Sequence, residues 1–198
     1  MLIDTKLLSS YGAIIDFFNP GDIIFEEGDT PKYYYQIISG NVKLNYTDED
    51  ARELILSILT KGQSVCEVLL FIDKKYPVTA VAITECSIMK ITKSNFMKML
   101  DMHPLVPLKV CQFLSERLYY TLVKMRNNAS INAEVRINGM LTYFKSFSDD
   151  EAVYSFMLPL TRQQLASCTG LRIETVIRCI KKMEREKIVK IIKGKVFF

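Results

Sequence analysis

The chain has 198 residues, of which 49% are hydrophobic, and its 26 Lys and Arg against 22 Asp and Glu give a net charge of +4. This apolar content argues against disorder, and the length suffices for one large domain or two small ones. No uncharged apolar run reaches the roughly 18 residues that a membrane-spanning helix needs, and the N-terminus lacks a signal-peptide pattern, so a cytoplasmic protein is expected.

The positive charge is concentrated near the C-terminus. From Pro159 onward ten Lys and Arg stand against three acidic residues, whereas the rest of the chain has 16 basic and 19 acidic residues. This asymmetry predicts a C-terminal segment that binds a polyanion. A membrane surface is the competing polyanion, but the chain lacks a long basic amphipathic helix with bulky apolar wedges.

The cysteines predict reduced thiols rather than a metal site. Their number is odd, their spacing is irregular, no CxxC pair occurs, and His103 is the single histidine. Metal and iron–sulfur sites need clustered ligands, so no metal or other cofactor is expected. The five residues are Cys66, Cys86, Cys111, Cys168 and Cys179.

The first half of the chain reads as a short helical lead over residues 1–18 followed by short strands. Alternating or β-rich runs are separated by Gly and Asp turn residues at regular intervals. This pattern predicts a small antiparallel barrel or sandwich. The predicted strands span residues 22–25, 33–38, 42–46, 54–58, 78–83 and 87–91.

Helical patterns follow. Thr92 is a plausible N-cap for a helix over 93–100, and a longer helix follows Pro104 and Pro107 and runs to about Asn127. Its apolar and small residues recur at alternating spacings of three and four, which is typical of a coiled-coil seam. The seam therefore predicts a dimer helix, with packing on the chain's own barrel as the alternative. Its members are Leu108, Cys111, Ser115, Leu118, Leu122, Met125 and Ala129.

A candidate hinge at 127–132 and a helix over 133–147 lead, through a loop at 148–150, to residues 161–182. This segment predicts two short helices joined by a tight turn. Leu165 and Ala166 lie on the inner side of the first helix, Gly170 suits the turn, and Val176 continues the apolar side of the second. The pattern is typical of a DNA-binding helix-turn-helix, and a plain helical hairpin with a charged outer face is the alternative.

The last residues predict a small β-hairpin. Residues 187–198 contain two β-rich runs around Lys193, Gly194 and Lys195, and Gly194 suits the turn. A helix-turn-helix followed by such a hairpin is a winged helix. A further β-like run at 153–158 is expected to pair with the wing.

The order of these elements resembles the CRP/FNR family of bacterial transcription regulators. GDIIFEEGDTPKYYYQIISGNVKL resembles the family's early β-roll, with Gly28 and Gly40 at turn positions, and LTKGQSVCEVLLF resembles the approach to its phosphate-binding cassette. TRQQLASCTGLRIETVIRCIKKMEREKIV resembles its helix-turn-helix. The resemblance implies an α+β fold with a β-roll effector-type domain at 1–104, a dimerisation helix and hinge at 105–131, and a winged helix-turn-helix DNA-binding domain at 132–198.

The cassette departs from the family pattern. Where nucleotide-binding members carry Gly-Glu-Leu and Arg-Ser/Thr-Ala, this chain has Cys66-Glu67-Val68 and Val78-Thr79-Ala80. Loss of the phosphate-binding Arg costs about 1.5–3 kcal/mol or more, so useful cAMP binding is not expected. Glu67 is then an ordinary turn carboxylate. A different ligand is the alternative, because the resemblance matches two helix residues to positions that face the nucleotide in some members. The candidate pocket comprises Cys66, Glu67, Val78, Thr79, Arg117 and Thr121.

The resemblance places base-reading residues on the second helix of the helix-turn-helix. Glu174 and Arg178 match the family's recurring readers, which contact cytosine and guanine, and Ile173 could contact a thymine methyl. An intrahelical ion pair between Glu174 and Arg178 is the alternative. The expected phosphate contacts are Thr161, Arg162, Arg172, Thr175, Lys181, Lys182, Lys193 and Lys195.

Together these features predict a homodimeric regulator of transcription that binds double-stranded DNA and works with RNA polymerase. No nucleophile–base–orienter set supports an enzyme. The alternative is a ligand-binding sensor whose winged helix mediates protein contacts. Expected dimer-helix contacts are Cys111, Leu118, Leu122 and Met125.

Overall fold

The structure is a computed structural model that describes residues 3–49, 53–72, 74–145 and 152–198. It divides into two units, Met1–Glu116 and Arg117–Phe198. The division falls inside a long helix, which therefore contributes to both.

The first unit contains two antiparallel sheets with strand orders β1-β7-β3 and β2-β6-β4-β5. A short helix, α1 (Thr5–Ser10), precedes them. The predicted antiparallel β-roll is confirmed. The strands are β1 (Ile14–Phe18), β2 (Ile23–Phe25), β3 (Tyr33–Ser39), β4 (Val42–Thr47), β5 (Glu53–Leu59), β6 (Thr79–Ala82) and β7 (Cys86–Thr92).

The helical lead expected over residues 1–18 is wrong beyond Ser10. Asp4 caps α1 by accepting from the amides of Lys6 and Leu7, and the helix ends after one and a half turns. Residues 14–18 instead form β1, which pairs antiparallel with β7 from Ile14↔Lys90 to Phe18↔Cys86. β-Branched and aromatic side chains favour a strand wherever a partner strand is available, and no local pattern shows that residues 14–18 pair with β7.

Two apolar clusters stabilise this unit. One fills the β-roll and includes Ile37, Leu59 and Ile88, each at most 1% exposed. The other joins α1 and the following helices to the outside of the β1-β7-β3 sheet, where the Tyr34 and Phe96 rings stack with centroids 4.4 Å apart.

Helices α2 (Lys93–Met102) and α3 (Leu105–Asn128) follow the roll. The predicted cap is confirmed, because Thr92 Oγ1 accepts from the amide of Asn95 at 3.3 Å. Pro107 lies inside the first turn of α3, where the missing amide hydrogen costs no helical hydrogen bond.

The second unit packs α4 (Ala133–Lys145), α5 (Arg162–Thr169) and α6 (Ile173–Arg185) beside a hairpin of β8 (Lys190–Ile192) and β9 (Lys195–Phe197). The run before α5 pairs with the wing as expected, through a bridge between Met157 and Phe197. The predicted end of α4 at 147 and the loop at 148–150 lie outside the described residues.

Candidate nucleic-acid interface

The turn between α5 and α6 has the geometry of a helix-turn-helix. Thr161 caps α5, with its Oγ1 accepting from the Gln164 amide while Gln164 Oε1 accepts from the Thr161 amide, at 3.1 and 2.8 Å. Gly170 ends α5 at φ +64, a left-handed conformation that glycine adopts without a Cβ penalty. These local features fix where α5 begins and where the chain turns into α6.

The buried side of α6 determines which residues face outward. Val176, Ile180 and Met183 are at most 1% exposed. Helices α4 and α5 pack against α6, and Ile137 on α4 and Leu165 on α5 are also fully buried. Because an α-helix turns by about 100° per residue, burial of this stripe leaves residues 174, 177, 178, 181 and 185 on the opposite face.

Glu174 and Arg178 are both exposed on that outer face. Within the part of the chain that the structure describes, they form no ion pair with each other or with another residue. The alternative of an intrahelical pair is therefore not realised, and both side chains are available for an external partner.

Ile177 is the residue that sequence reasoning missed. It lies between the two predicted readers, is 39% exposed, and lines the same surface concavity of about 650 Å³ as Glu174, Arg178 and Lys181. Ile173, the predicted apolar reader, is the first residue of α6 and is half-buried about 100° away from Glu174. The signal that could have identified Ile177 is its position, because it is an isoleucine on the polar face of an amphipathic helix.

The wing places two lysines beside α5. Lys193 and Gly194 form the hairpin turn with φ of +48 and +77, and Lys193 and Lys195 are exposed. Arg162 Nη2 donates to the carbonyl oxygen of Gly194 at 3.4 Å. Burial lowers the pKa of Arg162, while the nearby Glu184 opposes that shift. Arg162 therefore orients the wing tip.

The other predicted phosphate contacts separate into two groups. Thr161, Arg172, Thr175 and Lys181 lie along the start and outer side of the helix pair, and the Thr161 hydroxyl keeps its hydrogen for donation because it acts as an acceptor in the cap. Lys182 differs: its Nζ lies 2.6 Å from Glu134 Oε1 and 3.7 Å from Glu186 Oε1. The Lys182 ammonium thus joins α6 to α4.

The candidate effector cassette lies in the first unit. Cys66 stands at φ +53, a left-handed backbone conformation that costs a residue with a Cβ about 1–2 kcal/mol. Cys66 and Val78 are buried in the same apolar cluster as Leu69 and Tyr76. The Thr79 hydroxyl accepts from the Glu27 amide at 3.1 Å.

Glu67 lies at a turn, as the sequence suggests, but it is not an ordinary turn carboxylate. It is fully buried at the start of a 3₁₀ turn, Glu67–Phe71, and its negative charge acts with burial to raise the pKa of Tyr34. Tyr34 donates to Gln36 Oε1 at 2.8 Å, and Gln36 also bonds the backbone of Ile3. Glu67 therefore belongs to a buried polar group behind the β-roll wall.

Arg117 and Thr121 lie on the part of α3 that belongs to the second unit. The Thr121 hydroxyl donates to the carbonyl oxygen of Arg117 at 2.8 Å. Cys66, Glu67, Val78 and Thr79 belong to the first unit, so the six pocket candidates do not gather within one unit.

The seam residues of α3 present an apolar surface. Leu118, Leu122 and Met125 are 61%, 57% and 64% exposed, and Cys111 is also exposed. Leu108, at the start of the seam, is 65% exposed. Leu108 and Cys111 belong to the same unit as the β-roll, so the alternative in which the seam packs on the chain's own barrel is not observed at these two positions.

No group of His, Cys, Asp or Glu among the described residues is arranged to hold a metal ion. In the same ranges, no helix combines the length and apolar character needed to cross a membrane.

Comparisons with known proteins agree with this geometry. A family model of the cyclic nucleotide-binding domain matches residues 15–103, and a Crp-like helix-turn-helix domain model matches residues 116–197. The chain is 26% identical over 168 residues to the cAMP-activated global transcriptional regulator CRP of Salmonella typhimurium, covering 84% of this chain and 80% of that protein. It is 25% identical over 177 residues to the transcriptional activatory protein AadR of Rhodopseudomonas palustris, covering 88% of this chain and 73% of that protein.

Solved structures share the fold. FixK2 from Bradyrhizobium japonicum superposes with a TM-score of 0.79 at 19% identity over 94% of this chain and 92% of that one. The c-di-GMP responsive regulator CLP of Xanthomonas campestris superposes with a TM-score of 0.76 at 23% identity, over 98% of this chain and 99% of that one.

Proposed function

This chain belongs to the CRP/FNR family of DNA-binding transcription regulators, and we propose that it binds a two-fold-symmetric operator as a homodimer without requiring cAMP. The outer face of α6 carries the proposal. It presents Glu174, Ile177 and Arg178 together, and the two charged side chains have no ion-pair partner within the described residues.

These three side chains match the chemistry of base edges in the major groove. Arg178 supplies paired donors for guanine O6 and N7, Glu174 accepts from cytosine N4, and Ile177 offers an apolar surface to a thymine methyl. Ile173 lies farther from this face and has a secondary role. The phosphate contacts fix the register and come from Thr161, Arg172, Thr175, Lys181, Lys193 and Lys195, with Arg162 holding the wing.

The exposed seam on α3 supports a homodimer. Cys111, Leu118, Leu122 and Met125 repeat at coiled-coil spacing, and a second copy of the same helix covers such a face with the same spacing. A two-fold dimer presents two copies of α6 to successive major grooves about 34–36 Å apart, so the operator has two half-sites about one helical turn apart.

Independence from cAMP rests on the cassette. A cyclic phosphate placed there meets buried Cys66 and Val78 side chains where nucleotide-binding relatives offer glycine and arginine, and Glu67 adds a nearby negative charge. An unpaired phosphate in an apolar environment is strongly disfavoured. The curated relatives named as cAMP-activated therefore share the fold of this chain but differ in its ligand requirement.

A regulator of this kind acts in the cytoplasm, where the bacterial chromosome lies, and RNA polymerase is its expected protein partner. It has no catalytic role in this proposal. In the competing function the winged helix of a sensor contacts a protein. The basic outer face of α6 would then have no polyanion to bind.

The test compares the wild type with Arg178→Ala and Lys193→Ala on a selected operator and on a scrambled duplex of equal length, at two salt concentrations. The proposal expects Arg178→Ala to lose discrimination by about 1–3 kcal/mol per half-site while retaining weak, salt-sensitive binding. Lys193→Ala should weaken binding to both duplexes alike. Wild-type protein that shows no salt-sensitive DNA binding would instead favour the protein-contact function.

A further inference from the structure

A single arginine on α4 connects the end of α3 with the turn of the helix-turn-helix. Arg136 Nε donates to the carbonyl oxygen of Ser130, in the segment between α3 and α4, at 2.6 Å. Its Nη1 donates to the carbonyl oxygen of Thr169, the last residue of α5, at 3.3 Å. All three residues belong to the second unit, so one planar guanidinium joins three segments of that unit.

The Thr169 carbonyl lies at the point where the chain turns towards α6. The last four carbonyl groups of an α-helix have no amide partner within the helix, and a basic side chain is a favourable partner for them. Thr169 is followed by Gly170, and α6 begins three residues later at Ile173. Arg136 forms no ion pair in the part of the chain that the structure describes, so its charge is directed at these carbonyl groups.

The same face of α4 packs closely against α3. Gly139 lies one turn after Arg136, and a Cβ added there would lie 2.2 Å from Asn127 Nδ2 and 2.9 Å from Asn127 Cβ. One turn further along, the Tyr143 ring meets the Tyr120 ring of α3 edge-on, with centroids 5.9 Å apart. Residues three or four apart share one side of a helix, so residues 136, 139 and 143 form a continuous surface against the end of α3.

The part of α3 in these contacts also carries most of the exposed seam. Leu118, Leu122 and Met125 belong to the same unit as α4, α5 and α6. Arg136 therefore links the proposed dimer interface to the turn before the base-reading helix within one unit. In a two-fold dimer, the orientation of α6 relative to α3 in each protomer sets the distance and angle between the two copies of α6.

We infer that Arg136 is a positioning residue that fixes the half-site spacing of the operator. It acts through the backbone of Thr169, by holding the turn before α6 in one orientation relative to α3. One base pair added or removed between the half-sites displaces them by about 3.4 Å and rotates them by roughly 35°, which a rigid connection does not follow. The inference rests on the proposed homodimer and its DNA binding.

The test measures the affinity of the full-length protein for duplexes that carry two copies of the half-site selected by the wild type. Three duplexes have the selected spacing, one base pair less and one base pair more, and a fourth lacks the guanine of each half-site at the selected spacing. The wild type should bind the selected spacing at least about tenfold more tightly than either altered spacing, because the altered spacings prevent both copies of α6 from binding together.

Arg136→Ala and Arg136→Lys should both reduce this spacing preference to about threefold or less. Lysine keeps the charge but lacks the planar fork that spans the two carbonyl groups, so a loss shared by both variants reflects positioning and not attraction to DNA. The guanine preference, which depends on Arg178, should stay at the wild-type value in both variants. A merely structural role for Arg136 would reduce both preferences together.

Arg126→Ala is the matched control. Arg126 is exposed in the last turn of α3 and has no hydrogen bond or ion pair in the described ranges, so this variant should keep the wild-type spacing preference. Either Arg136 variant with the wild-type spacing preference, an equal loss of guanine preference, or a wild type that binds all three spacings alike would overturn the inference. A wild type that selects no half-site from random duplexes would refute the proposed function, and the inference with it.

Discussion

Truncation of the α3 seam should separate the proposed dimer into monomers. Full burial of a leucine side chain is worth about 1.5–3 kcal/mol. Leu118 and Leu122 still expose 61% and 57% of their surface, so dimerisation can bury enough of each to contribute roughly 1–2 kcal/mol. The two leucines together contribute roughly 2–4 kcal/mol per protomer, and the two-fold axis doubles this sum, so Leu118→Ala with Leu122→Ala should cost about 4–8 kcal/mol, or roughly a 10³- to 10⁶-fold rise in the dimer dissociation constant.

Sedimentation equilibrium over a wide concentration range measures that constant directly. The matched control is Ile14→Ala on β1, whose side chain is 56% exposed but lies outside the seam, and it should leave the constant unchanged. The alanines replace exposed residues within a helix, so thermal unfolding should change little. Equal dissociation constants for the double variant, the control and the wild type would refute the seam as the dimer interface.

Further variants test the wing, the β-roll and the cassette. Lys193→Ala should reduce the salt dependence of DNA binding by about one ion per subunit; an unchanged slope, measured by titration at several salt concentrations, contradicts the wing contact. Gly40→Ala should destabilise the protein by several kcal/mol, because at φ +89 a Cβ there would lie 2.3 Å from the Glu85 carbonyl oxygen. Gly21→Ala is the control, because nothing lies within 4 Å of a Cβ added there. The reasoning fails if denaturant unfolding shows that Gly40→Ala loses no more stability than Gly21→Ala does. Calorimetry should detect no cAMP binding by the wild type, and nucleotide binding at micromolar concentration would contradict the account of Cys66 and Val78.

Features set by short-range chemistry were predictable from the sequence. The Thr92 cap, the turn at Gly170 and the hairpin at Gly194 each depend on one residue type with a specific backbone or hydrogen-bonding preference, and all three are confirmed. The alternation in β4 and β5 likewise predicted strands, because one side of each faces the interior of the roll.

Features set by distant partners were not predictable in this way. Residues 14–18 became a strand because β7, more than 60 positions later, pairs with them. Glu67 became buried because Tyr34 and its neighbours form a polar environment that no local spacing reveals.

The site itself shows the same limit. The ion pair between Lys182 and Glu134 on α4 joins residues 48 positions apart, which no local spacing reveals, and the phosphate contact expected of Lys182 stays a prediction. Ile177 was overlooked because an isoleucine suggests a core residue until the packing of α6 shows which side is buried.

Selection of binding sites from random duplex DNA by the full-length protein tests the central claim most directly. The account predicts an enriched two-fold-symmetric sequence, with half-sites about 10–10.5 base pairs apart and a guanine in each half-site that Arg178→Ala no longer selects. Enrichment of no sequence, or of an asymmetric sequence whose guanine preference survives Arg178→Ala, would contradict it.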